Sequence, residues 1–146
     1  MDLSWQLLHS CVSRCHCMVW YPTVDDVVCA NIEVLDLTGG KHPHKLPGSR
    51  EGIQAVIDEA KREEDGGLTY QAALLMRELV RIHAFAGANH RTAYIVVKTF
   101  LLRNSRQFRV DGLNAAYPFI KNVENRPIEK IQRWIENEQG NLSKQP

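Results

Sequence analysis

The chain has no apolar run approaching the roughly 18 residues that a membrane-spanning helix requires, so neither a span nor a membrane partner is expected. It opens with Asp2 and lacks a basic stretch leading into an apolar one, which makes a poor secretory signal. A cytoplasmic location is the expectation. An excess of one charge is missing too: 18 Lys and Arg face 17 Asp and Glu, a net charge of +1. This balance gives no reason to expect direct nucleic-acid binding. Cysteine is scarce, with 4 in 146 residues. Cys11, Cys15 and Cys17 sit with His9 and His16 in HSCVSRCHC, and Cys29 follows alone. C-x3-C-x-C matches no common zinc spacing and no second ligand pair follows, so the group reads as reduced thiols and no metal site is assigned. There is no internal repeat and no low-complexity segment. A chain of this length folds as one domain with a core that needs no staples.

What is present is helical periodicity. Residues 1–20 form a leader in which a short helix is possible. Thr23 and Asp26 have the spacing of a capping box, and Val24, Val27, Val28, Ile32 and Leu35 form an apolar stripe that stops at Gly39-Gly40. Lys41 to Gly52, rich in Gly, Pro and His, reads as an exposed loop, a short hairpin or a flap over a ligand; His42 and His44 there read as solvated. A helix from Ser49 or Arg50 to Ala60 points Ile53, Val56 and Ile57 inward, and the polar stretch 61–67 links it to the next. That helix is capped by Thr69 and runs to about Phe85, with Ala72, Leu75, Met76, Leu79, Val80 and His83 on one core-facing stripe. Two further helices cover Leu113 to about Val123 and Pro127 to about Glu138, the second with Ile128, Ile131, Trp134 and Ile135 inward. Residues 141–146 are a tail. The sum is an all-α domain of about six helices.

The chain is organised around His83 to Leu102, HAFAGANHRTAYIVVKTFLL. Its second half is apolar except for Lys98, as suits a buried central helix. Its first half holds two His, an Asn and an Arg among small residues, a loop opening into that helix. A helix N-terminus offers free N–H groups and the positive end of the macrodipole. Small residues let an anion approach, and Arg91 adds a bidentate clamp. The residues therefore describe a phosphate cradle with His83 beside it. A metal held by His83 and His90 is disfavoured, because the loop between them spoils helical facing.

HAFAGANHRTA resembles the Fic/Doc pattern H-x-F-x-[DE]-[GA]-N-x-R followed, in Doc-type members, by Thr-Ala. His83, Phe85, Asn89, Arg91, Thr92 and Ala93 match, and Ala88 is the Doc-type choice over Gly. The likeness extends from about Tyr21 to Trp134 within a domain of residues 21–140. It implies a helical bundle around a buried central helix, with a short flap. It also implies transfer of phosphate or AMP from ATP or another nucleotide to a protein hydroxyl. For Doc-type toxins the target is a translation elongation factor and the restraint a Phd-like antitoxin. By this resemblance His83 is the general base, a role suited to imidazole. Gly87, Ala88, Asn89 and His90 form the anion nest, Arg91 holds phosphate oxygens, and Phe85 anchors the loop.

Three positions depart from the pattern. Ala84 stands for a frequent Pro. His90 stands where Doc-type members have Lys. Gly87 stands for the acidic residue that binds Mg2+, so Mg2+ remains a possible cofactor without its usual ligand. The alternative function is a catalytically weak or idle nucleotide- or peptide-binding module. Asp65 and Glu78 are upstream acids without an assigned place. Gln132 to Asn137 is a near miss to the family's inhibitory helix, and its Glu136 reads as a surface residue.

Overall fold

The computed structural model describes residues 18–38, 49–108 and 112–140. The Cys/His group at 9–17, the loop residues 39–48 with His42 and His44, and the tail 141–146 lie outside the described residues. Among the described residues there are six α-helices: α1 (Val24–Thr38), α2 (Ser49–Arg62), α3 (Leu68–Arg81), α4 (Asn89–Arg103), α5 (Gly112–Ile120) and α6 (Ile128–Gly140). Single 3-10 turns occupy Glu64–Gly66 and Val123–Asn125. The all-α expectation holds.

The capping box at the start of α1 forms in both directions. Thr23 N–H donates to Asp26 Oδ2 at 2.8 Å, and Asp26 N–H donates to Thr23 Oγ1 at 3.1 Å. Two orphan donors of the first turn are thereby satisfied. The buried face of α1 is Val24, Val27, Ala30, Asn31, Val34 and Leu35. Ile32, placed inward by the sequence pattern, is instead 42% exposed, and Asn31 beside it is 1% exposed. The face is turned by one residue so that a polar side chain enters the core.

Two helices share the centre. α4 packs mainly on α3 and α1, while α3 also carries α6, α2 and the 123–125 turn. Leu75, Met76, Tyr94, Phe100 and Leu101 are fully buried between them. Deep burial of such side chains contributes about 1.5–3 kcal/mol each. On the far side Phe119 stacks on Trp134 at 4.3 Å, and Phe108 meets the edge of Trp134 at 5.5 Å. Asn104 closes the end of α4 by exchanging two 2.9 Å hydrogen bonds with the backbone of Trp20.

Several boundaries differ from the sequence reading. Thr69 does not cap α3, because Gly67 stands at the cap and the Thr69 hydroxyl bonds Glu136 on α6. α3 stops at Arg81 rather than near Phe85. Leu113–Val123 is broken after Ile120, where Asn122 (φ −127°) leaves the helical region before the 3-10 turn. α6 begins one residue after Pro127, a shift within the usual fuzziness of helix ends.

Candidate active site

The site begins where α3 ends. Ile82 is the last residue in helical geometry, and His83 turns left-handed with φ 48°. That turn swings His83 off the apolar stripe, so it is exposed and not core-facing as the spacing suggested. Ala84 and Phe85 go inward at 4% exposure each. The turn separates the imidazole from its helix and presents it to solvent one step before the chain dives into the core.

Asn89, the first residue of α4, ties the loop shut. Its Oδ1 accepts the Phe85 N–H at 3.1 Å and its Nδ2 donates to the Phe85 carbonyl at 2.8 Å. The same Nδ2 lies 3.4 Å from His83 Nδ1. One buried side chain thus satisfies both backbone groups of the anchor and lies next to the His83 ring. The Asn89 amide orients the loop, and Phe85 seats it.

At the mouth Ala88 is left-handed, φ 62° and ψ 27°, with no side-chain cap on α4. Thr92 is the first residue to bond back, to the Ala88 carbonyl at 2.9 Å. The preceding N–H groups of Asn89, His90 and Arg91 therefore lack intrahelical acceptors, the ordinary condition of a helix start. Arg91 is half-buried and, among the described residues, makes no hydrogen bond or ion pair. Gly87 has open space where a Cβ would stand.

Two residues that the sequence reading did not select act on this mouth. Asn31 of α1 donates from Nδ2 to the Gly87 carbonyl at 3.1 Å and to Thr92 Oγ1 at 3.0 Å. An Asn inside an apolar helical stripe was the available signal. Glu124 approaches His90, with Oε2 3.0 Å from Nε2. Its backbone carbonyl accepts from Arg81 Nε at 2.9 Å. Nothing local in NVENRP announces that contact. The His90 imidazole is therefore engaged sideways, and what His90 brings to the mouth is its amide. Glu78 is occupied by Arg77 and Arg81 at 2.9 and 3.0 Å. Asp65 lies in the exposed turn before α3, and Glu136 bonds the first turn of α3. Both belong to the end of α3 opposite His83, and a helix of 14 residues spans about 20 Å. Open cavities of about 420 and 430 Å³ lie beside Asp25 and Arg50 and beside Met18 and Arg103, and none of their described lining residues belongs to 83–91.

Residues 34–101 match the model of the Fic/DOC family. That stretch, just under half of the chain, is similar to the Fic/DOC family. The matched stretch begins in α1 and ends two residues short of the end of α4, so it contains the whole mouth. It is shorter than the 21–134 over which the sequence resembles Doc-type members. A comparison with curated proteins gives no match. The match suggests transferase chemistry of the Fic type in general, and 83–91 is the segment that carries the family pattern. Among the described residues no helix is long and apolar enough to cross a membrane.

Proposed function

We propose that this protein is a Doc-type enzyme that transfers phosphate or AMP from ATP or another nucleotide to a hydroxyl of a target protein. In this reading it is the toxin of a toxin–antitoxin pair, works in the cytoplasm on translation, takes an elongation factor as target and is restrained by a Phd-like antitoxin. The observation that carries the chemistry is the Asn89 clamp. It closes the loop that presents an exposed imidazole beside an uncapped helix start, and Arg91 in the first turn of that helix has no other described partner. Nucleotide phosphate oxygens bind the amides of Ala88 to Arg91 and the Arg91 guanidinium. The target hydroxyl attacks phosphorus, the bond to the bridging phosphate oxygen breaks to release ADP in phosphate transfer or pyrophosphate in AMP transfer, and His83 takes the hydroxyl proton. Nδ1 faces Asn89, so Nε2 is the nitrogen open to that hydroxyl.

The residues present do not fit the family's Mg2+ ligation, since Gly87 has no side-chain oxygen, and no step here runs through a metal. A metal on transferring phosphate is worth several kcal/mol, and each ~1.4 kcal/mol is a factor of about ten in rate. Gly87 therefore favours a second reading, a nucleotide-binding module with slow or no transfer. Cell extract incubated with ATP labelled at the α or the γ phosphate separates the two. Protein labelling that disappears in His83→Ala supports the enzyme, and the label position identifies the group moved. Labelling that survives in His83→Ala rejects it. Nucleotide binding without labelling supports the second reading.

A further inference from the structure

Four polar side chains are buried among the described residues: Asn31, Gln71, Asn89 and Thr92. Gln71 joins Tyr21 Oη and the Ala60 carbonyl, a link between helices far from the motif. Asn89 closes its own loop. Asn31 is different, because it reaches from α1 to the Gly87 carbonyl, 56 residues away in the chain.

We propose that Asn31 is a positioning residue of the nucleotide site, which fixes the Gly87–Ala88 peptide so that the Ala88 N–H faces the phosphate. The inference rests on the reading of residues 83–91 as a nucleotide-phosphate site. In a trans peptide the C=O and the following N–H point in opposite directions, and no peptide bond described here is cis. Drawing the Gly87 oxygen toward α1 therefore turns the Ala88 N–H away from α1. That N–H finds no acceptor among the described residues.

A peptide preceded by glycine flips easily, since glycine tolerates a wide range of φ and ψ. Ala88 is a non-glycine residue at φ 62°, a conformation that persists where surrounding contacts enforce it. The Asn31 bond is such a contact. The second arm of the same amide, to Thr92 Oγ1, ties the pin to the first turn of α4. The arm that sets the Gly87–Ala88 peptide is the one to the Gly87 carbonyl, and Asn31 itself is 1% exposed.

The test measures ATP affinity by calorimetry and Tm for Asn31→Asp, Asn31→Leu and Thr92→Val. Asn31→Asp keeps the shape and loses the donor. Thr92→Val removes only the arm that does not reach Gly87, and so reports what a structural bond at this spot is worth. The expected result is ATP binding weakened tenfold or more in both Asn31 variants, and within twofold of the parent in Thr92→Val despite a lowered Tm. Asn31 variants that fold and bind ATP like the parent overturn the proposal. Should the Asn31 variants fail to fold, NMR of the unmutated protein decides. Saturating ATP must then shift the Asn31 side-chain amide signals together with the Ala88 amide, and an unresponsive Asn31 overturns the proposal. A parent protein that binds no ATP rejects the reading of the site itself, a result distinct from either.

Discussion

Asn89→Ala is the substitution on which the loop depends most. The side chain is 6% exposed and serves both backbone groups of Phe85, which is 4% exposed. Truncation leaves a buried N–H and a buried C=O without partners. Each such group costs about 1–3 kcal/mol. Water entering from the exposed His83 side recovers a part, and the better helix propensity of Ala returns a few tenths. The expected loss is about 2–4 kcal/mol, against a total stability of roughly 5–15 kcal/mol for a domain. For a chain of this size the Tm falls by roughly 5–15 °C. Urea unfolding followed by circular dichroism measures it directly. Asn89→Asp serves as the partner variant, because it keeps the acceptor for the Phe85 N–H and sets a carboxylate against the Phe85 carbonyl. It should lose stability too. A change below about 0.5 kcal/mol in Asn89→Ala, the usual range for an uninvolved surface site, would refute the view that this side chain closes the loop.

Three further outcomes follow from the same structure. Gly87→Asp places a carboxylate where a Cβ meets open space, so its Tm should stay within about 2 °C of the parent, while label transfer from ATP rises and becomes dependent on Mg2+; unchanged transfer contradicts the view that a missing ligand limits this site. Gly67→Ala forces a side chain onto φ 87° and ψ 168° at the start of α3, a region essentially reserved for glycine, and should cost about 1–3 kcal/mol, read by thermal unfolding. Burial raises the Tyr21 phenol above its ordinary pKa, against a lowering contribution from the Gln71 hydrogen bond. The unfolded chain then loses this proton first, so the Tyr21 contribution is intact below the ordinary value of 10.0 and declines as pH climbs from there through the raised folded value. Tyr21→Phe should flatten that alkaline decline in a pH series of urea unfolding.

The helices were legible because each has a strong local cause. The Thr23–Asp26 box, the Ile53/Val56/Ile57 face and the Ile128/Ile131/Ile135 face all sit as their spacing implies. The mouth of α4 was legible from small residues ahead of an apolar helix and from the family pattern. His83 was misplaced onto the core stripe because periodicity is blind to a single left-handed residue, and φ 48° ends the period at Arg81. Asn31 and Glu124 were missed for another reason. Their partners Gly87 and His90 lie 56 and 34 positions away, and only tertiary packing brings such pairs together. Ile32 was misjudged together with Asn31, since a stripe drawn from apolar residues alone rotates the helix past its buried amide.

The account turns on whether nucleotide phosphate occupies the start of α4. NMR of the 15N-labelled protein titrated with ATP addresses this most directly. The expected outcome is saturable shifts centred on the amides of Gly87, Ala88, Asn89, His90 and Arg91 and on the His83 ring, all lost in Arg91→Ala. Saturable shifts that leave these amides unmoved, or that persist in full in Arg91→Ala, would contradict it.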